Sequence, residues 1–170
     1  MKHSLWRTSG LALLLSTTST LANACGYDAP VPELTPAHSA SVNVALALYE
    51  AYEERLLPRP IALPGGFGLR RAVASLNKLN TALQHSGGDD GFYVLVVESG
   101  LWTHYQAQGG TLTATVHVEK PAADQPVVIT AEGVLLALEK GKLSTDQAMQ
   151  AGLIHVEAAQ AQRARINQRW

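Results

Sequence analysis

Six consecutive residues, Phe92 to Val97, are apolar without alternation, and this run constrains the fold more than any other segment. A strand with one face in water alternates apolar and polar side chains, because successive side chains point to opposite faces of the sheet. An unbroken apolar run of this length therefore predicts a central strand that is covered on both sides.

Two alternating segments, Leu101 to Ala107 and Leu112 to Val118, follow this run and flank Gly109-Gly110, which predicts a β-hairpin with a two-residue turn. If Gln108 pairs with Thr111, one face carries Leu101, Thr103, Tyr105 and Ala107 opposite Val118, Val116, Ala114 and Leu112. The other face then carries Trp102, His104 and Gln106 opposite His117, Thr115 and Thr113. A slip of one residue would mix the two sets, so the pattern specifies this register.

Helical periodicity precedes these strands in two segments. The inward face predicted for the first helix consists of Val42, Ala45, Tyr49, Tyr52 and Leu56. The second helix is predicted from Leu69 to His85, with an inward face of Leu69, Val73, Leu76, Leu79 and Leu83. Proline residues separate the two helices, and glycines follow the second.

The C-terminal part is predicted to contain short strands and helices. A strand from Val127 to Ile129 leads into a helix with Thr130 as its predicted N-cap and Gly141 as its end. Ser144 to Gln147 form a capping box for a further short helix. A strand from Leu153 to Val156 and a helical tail follow. The predicted order is α-α-β-β-β-β-α-α-β-α, an α+β fold with a mainly antiparallel sheet of about five strands.

The stretch from Val127 to Val156 resembles the sterol-carrier-protein-2-like (SCP2-like) domain. The matching features are the apolar strand, the helix, Gly141-Lys142-Leu143, the short helix with Ala148, and Gly152 before the last strand. The family often has a glycine after that strand, where this chain has Glu157-Ala158. The resemblance implies a twisted sheet with helices against one side, an apolar tunnel between them, and a domain over residues 39–170.

Relatives hold lipids or fatty acyl chains in such tunnels, or serve as accessory domains beside an enzyme. The residues that the resemblance would place along the tunnel are Val73, Leu76, Leu95, Val97, Val116, Val134, Leu138 and Met149. The same apolar stripes also suit a solid core.

The sequence offers no enzymatic signature. It contains no G-x-S-x-G, P-loop, G-x-G-x-x-G, H-E-x-x-H or C-x-x-C motif, so we interpret the chain as non-enzymatic, with no cofactor. His104 and His117 are predicted diagonal neighbours beside Trp102, a weak candidate pair for Zn or Cu because a structural zinc takes four ligands. The alternative is a polar or partner-contacting face, in which Trp102 is covered by a protein partner or by the N-terminal helices.

The N-terminus predicts export. Lys2 and Arg7 precede an apolar stretch from Gly10 to Leu15, and Ala22 and Ala24 form an A-x-A cleavage site, so residues 1–24 are typical of a signal peptide. This apolar stretch is too short for a membrane span. Residues 25–38 would then form an extended tether, and the protein would be periplasmic.

Cys25 would be the first residue after cleavage, and it is the only cysteine. A cysteine in this position resembles the acylated residue of bacterial lipoproteins, which would make it a lipid anchor. A soluble periplasmic protein is the alternative, because lipoprotein signals usually carry Leu where this chain has Ala22. Without Lys2 and Arg7 the remaining 11 basic and 14 acidic residues give a net charge of −3, which does not suggest a nucleic-acid partner.

Two functions follow as hypotheses. The first is a periplasmic, non-enzymatic binder or carrier of an apolar small molecule of lipid or fatty-acyl type. The second is a protein-interaction or accessory module of a periplasmic system in which the tunnel is filled. A lined pocket and a packed core use the same residues, so the sequence leaves both open.

The lipid-anchor hypothesis predicts the behaviour of a Cys25→Ser variant. An acylated protein should lose its membrane association in this variant, whereas a soluble protein should fractionate as the wild type does. N-terminal sequencing of the exported protein tests the signal itself: retention of Met1 or Lys2 would contradict cleavage before Cys25.

Overall fold

The computed structural model describes residues 38–64, 66–84, 91–109 and 111–170. The signal peptide, Cys25 and nearly all of the tether lie outside the described residues. The elements in chain order are α1 (Ser41–Glu53), α2 (Phe67–Leu83), β1 (Phe92–Val96), β2 (Leu101–Gln108), β3 (Thr111–Val116), β4 (Val127–Thr130), α3 (Glu132–Glu139), α4 (Thr145–Gln150), β5 (His155–Glu157) and α5 (Gln160–Arg169). This confirms the predicted α+β class and element order.

The five strands form one sheet in the order β3-β2-β1-β4-β5. β1 pairs with β4 in parallel, and the other neighbouring pairs are antiparallel. The sheet is therefore mainly antiparallel, as predicted, with β1 at its centre. None of the helices in the described part of the chain has the length and apolar character needed to cross a bilayer.

β1 is covered on both faces, as the unbroken apolar run predicts. Phe92, Val94 and Val96 lie in the main core beneath α2 and α3. Leu95 faces the other side of the sheet and packs with Val44 of α1 in a second cluster. The resemblance implies helices against one side of the sheet. In the structure α1 also covers the second face, which differs from that expectation.

The hairpin confirms the predicted register over six pairs, from Gln108↔Thr111 to Thr103↔Val116. The regular pairing ends there, because a β-bulge follows Val116 and sets both His117 and Val118 opposite Trp102. The predicted pair of Leu101 with Val118 is therefore wrong. The backbone N–H groups of His117 and Val118 both donate to the carbonyl of Trp102, over 2.9 and 3.1 Å. His117 has a φ of 65°, and Val118 packs beside Trp102 in the second cluster.

The inward face of α1 differs from the prediction. The buried residues are Val44, Leu48 and Ala51, whereas Val42, Tyr49 and Leu56 are more than half exposed. α1 carries apolar residues on more than one face, so a 3-4 spacing alone does not identify the face that packs. The prediction for α2 is closer, since Leu76 and Leu83 are buried and Leu69, Val73 and Leu79 pack against the core.

The capping residues predicted for the helices of the C-terminal part are found in the structure, with one exception. Ser144 accepts from the N–H of Gln147, whose side chain accepts from the N–H of Ser144, which confirms the capping box. Gly141 follows α3 with a φ of 63°. Thr130 is not the N-cap of α3; its hydroxyl donates to the carbonyl of Leu153 over 3.2 Å, and Ala131 holds the cap position.

Truncating a valine to alanine should cost more stability on the buried face of α1 than on its exposed face. Val44→Ala should lower the free energy of unfolding by about 2 kcal/mol, because Val44 is 0% exposed and loses its packed methyl groups. Val42→Ala is the matched control, and at 51% exposure it should change stability by about 0.5 kcal/mol or less. Urea denaturation of both variants measures the difference, and equal costs would contradict the observed face.

Candidate functional site

An apolar groove of about 470 Å³ lies between α2, α3 and the C-terminal Trp170. Its lining residues are Ser75, Lys78, Leu79, Ala82, Leu83, Leu135, Leu138, Glu139, Leu143, Ser144, Thr145 and Trp170. The leucines come from α2, from α3 and from the connection to α4, so the groove depends on how these segments pack together. Its volume falls in the range typical of small-molecule sites, about 300–1,000 Å³.

Trp170 is held at the groove by the chain itself. The hydroxyl of Thr145 donates to the carbonyl of Trp170 over 2.6 Å. The indole Nε1 of Trp170 is buried and has no hydrogen-bond partner among the described residues. A buried donor without an acceptor is costly.

The polar part of the groove lining lies at its exposed side. Lys78 of α2 forms an ion pair with Glu139 of α3 over 2.5 Å, and the Lys78 side chain is 61% exposed. Ser144 and Thr145 add hydroxyl groups. The groove therefore combines an apolar lining with charged and hydroxyl groups, which suits a molecule with an apolar body and a polar end.

The structure does not bring the eight predicted tunnel residues around one space. Leu138 lines the groove. Leu76 and Val134 are fully buried in the main core, and Val73, Val116 and Met149 pack against it. Leu95 lies in the second cluster on the other face of the sheet, and Val97 packs against both clusters. Their role in ligand binding stays a prediction.

The structure decides between the two covers predicted for Trp102, a protein partner and the N-terminal helices. Trp102 is only 6% exposed and packs with Ala40 and Val44, so the N-terminal helix covers it. His104 stacks on Tyr93 at 4.3 Å between ring centroids, and burial lowers the pKa of its imidazole. Among the described residues no group of three or more metal-ligating side chains lies together.

A buried cluster of two carboxylates was missed by the sequence interpretation. Glu98 follows β1, and Glu132 opens α3 just after β4, so the parallel pairing of these strands brings them to the same edge. The carboxylate of Glu98 accepts from the N–H of Glu132 over 2.8 Å and from that of Gly133 over 3.5 Å. It thus satisfies amides at the start of α3, next to the positive end of the helix dipole.

Glu132 is neutralised by Arg71 of α2. Its two carboxylate oxygens accept from Nε and Nη2 of Arg71, which also donates from Nη1 to the carbonyl of Ile61 over 2.8 Å. Such a bidentate pair fixes the orientation of both side chains. This contact connects α2, α3 and the α1–α2 connection.

Tyr52 completes the cluster. Its hydroxyl is buried without a hydrogen-bond partner among the described residues, and a Cβ on Gly133 would collide with it. Burial, together with the charges of Glu98 and Glu132, raises the pKa of the Tyr52 hydroxyl. The sequence signal for this cluster was a glutamate placed soon after each of two apolar strands.

Comparisons with known proteins return structural likenesses only. No protein-family model and no curated protein matches the chain. Sterol carrier protein 2 like 2 from Aedes aegypti is 12% identical with a TM-score of 0.42, over 59% of this chain and 97% of that protein. A sterol carrier protein 2 is 19% identical with the same TM-score, over 59% of this chain and 87% of the other.

A stereoselective inverting sec-alkylsulfatase from Pseudomonas sp. is also similar, at 17% identity and a TM-score of 0.39. The overlap covers 50% of this chain and spans only 13% of the sulfatase. All three TM-scores lie below 0.5 and all three identities below 25%, so these likenesses assign no function to this chain.

The Glu98 carboxyl predicts a pH dependence of stability. Burial raises its pKa above the ordinary value of 4.5, against the lowering effect of the hydrogen bonds from Glu132 and Gly133. Between the unfolded and the raised folded pKa the native state binds more protons, so stability falls as pH rises through the folded pKa. Relative to Glu98→Gln, the wild type should therefore lose stability as pH rises from about 4.5.

Urea denaturation of the two proteins across pH 4.5 to 8 measures this difference directly. The remaining carboxylates are common to both proteins, so their contributions cancel. If the difference in free energy of unfolding between the two proteins stays constant with pH, or grows in favour of the wild type, the raised pKa of Glu98 is contradicted.

Proposed function

We propose that this protein is a non-enzymatic binder or carrier of an apolar small molecule, of lipid or fatty-acyl type. The observation that carries the proposal is the groove between α2, α3 and Trp170, with its lining of Leu79, Leu83, Leu135, Leu138 and Leu143. Apolar surface in such a groove favours a hydrocarbon ligand at about 25 cal/mol per Å² buried.

The polar groups of the groove lining favour a ligand with a polar end over a plain hydrocarbon. Lys78 offers a cation at the exposed side, beside its partner Glu139. A ligand with a carboxylate end would meet the ammonium group of Lys78 there while its chain lies on the leucines.

The site proposed here differs from the tunnel that the resemblance implies. Leu76, Val94 and Val134 are 0% exposed between the sheet and the helices, so that space is packed with side chains. The groove lies farther out, along α2 and α3. Of the eight predicted ligand-binding residues, Leu138 lines the groove.

The packed interior also favours the second candidate, a protein-interaction or accessory module with a filled tunnel. In that case a partner would seat a side chain in the groove. Export to the periplasm, with or without a lipid anchor on Cys25, stays part of the proposal, since those residues lie outside the described part of the chain.

Leu138→Trp tests the carrier function. The larger ring should fill the groove and abolish binding of a fluorescent fatty acid, measured by fluorescence titration. Because Leu138 lines an open space, the free energy of unfolding should fall by less than about 1 kcal/mol, whereas overpacking a closed core costs about 1–3 kcal/mol or more.

The matched control is Leu46→Trp on the outer side of α1. Leu46 is 58% exposed and lies outside the groove lining, so this variant should bind the fatty acid as the wild type does. A wild type that binds no apolar probe, together with a strongly destabilised Leu138→Trp, would reject the carrier and leave the interaction module.

A further inference from the structure

A second cavity, separate from the groove, lies where α1 ends. It measures about 540 Å³ and is lined by Tyr52, Arg55, Leu56, Leu57, Pro58, Arg59 and Lys142. Three of these side chains are cations and none is a carboxylate. We call this cavity the basic pocket.

The cations of the basic pocket are not needed to close α1. The last carbonyls of the helix accept from backbone amides: Glu54 donates to Glu50 over 2.9 Å, and Arg55 to Tyr52 over 3.2 Å. The amide of Leu56 donates to Ala51 over 2.9 Å. These bonds satisfy the helix end without any of the cations of the basic pocket.

Arg59 is held in place on two sides. Its Nη2 donates to Glu53 over 2.6 Å, and its guanidinium carbon lies 5.3 Å from the centre of the Tyr52 ring. Glu53 offsets this cation, so the pocket carries an excess of two positive charges from Arg55 and Lys142. Stacking on an aromatic ring orients a guanidinium without removing its charge.

Arg55 occupies a backbone conformation that disfavours its residue type. Its φ is 59°, in the left-handed region, just after the end of α1. The chain uses glycine for the same purpose elsewhere, at Gly141 after α3 and Gly152 after α4, with φ of 63° and 70°. This conformation closes the helix, and a non-glycine residue there is uncommon. In this chain it places a cation in the lining of the basic pocket.

The acidic groups around Tyr52 do not cancel this charge. Glu132 forms its ion pair with Arg71, and Glu98 accepts from the amides of α3. Glu53 forms its ion pair with Arg59, and Glu54 is exposed to solvent, as are Arg55 and Lys142.

We propose that the basic pocket binds an oxyanion of the phosphate type, with Arg55, Arg59 and Lys142 as its ligands. Guanidinium groups match such oxyanions in geometry, and an ammonium adds a point charge. Leu56, which is 65% exposed, lies beside these cations and offers contact to an alkyl group attached to the anion. The anion comes either free in solution or as the head of an amphiphile.

Isothermal titration of Leu138→Trp, whose groove is filled, with inorganic phosphate and with octyl phosphate distinguishes these sources without a contribution from the groove. Octyl phosphate binding at least tenfold tighter than inorganic phosphate would indicate the amphiphile head, and equal affinities would indicate the free anion. Both outcomes support the site. A wild type that binds neither probe would overturn it.

Charge variants locate the binding. Lys142→Gln should weaken phosphate binding at least fivefold, whereas Lys140→Gln, two residues away and outside the pocket lining, should change it less than twofold. Equal losses in the two variants would show a non-specific charge effect and overturn the proposal.

Arg55→Asn separates function from stability. Asparagine tolerates the left-handed region better than arginine, so the variant should keep or raise the melting temperature while phosphate binding falls at least fivefold. Unchanged binding would overturn the role of Arg55. Leu138→Trp should keep octyl phosphate binding at the basic pocket while it loses fatty-acid binding at the groove. The two proposals can therefore fail separately.

Discussion

The burial of β1 on both faces is the constraint on which the rest of the structure depends. A strand with Val94 and Leu95 both 0% exposed needs a layer on each side, and the chain meets this with α2 and α3 on one face and the start of α1 on the other. Its neighbours β2 and β4 complete its hydrogen bonding. The groove follows from this arrangement, since α2 and α3 pack over the core and leave their outer edges to face Trp170.

The carboxylates of Glu98 and Glu132 connect this core to α2 and α3, the helices that carry the groove. Glu98 satisfies the first amides of α3, and Arg71 joins α2 to Glu132. Breaking a buried, hydrogen-bonded pair costs more than the pair contributes, because one charge is left without a partner. The relative position of α2 and α3, and hence the width of the groove, is therefore fixed by polar contacts as well as by leucines.

Much of the fold could be predicted from the sequence, because its signals were local or periodic. The capping box at Ser144 and the register between Thr103 and Val116 each follow from spacing. The bulge at His117 could not be predicted in the same way, since a non-glycine residue at positive φ leaves no mark in an alternating pattern. The packing face of α1 was missed because the helix is apolar on two sides, and only tertiary contacts choose between them.

The candidate site was less predictable for a related reason. Apolar spacing shows which residues point inward, but whether they meet a side chain or an open space depends on how whole helices pack. Leu138 and Leu76 carry the same signal in the sequence, yet one lines the groove and the other is sealed in the core. The basic pocket draws on Lys142 and on residues almost ninety positions earlier, so no short motif contains it.

The bulge after Val116 has a consequence for the protein in a crowded solution. β3 is an edge strand, and the free hydrogen-bonding groups of an edge can template the addition of a strand from another molecule. At His117 the backbone turns to positive φ and two amides share one carbonyl, so the regular edge stops after six residues. The distortion that brings Val118 onto Trp102 thus also shortens the surface on which two copies of the chain could aggregate through their sheets.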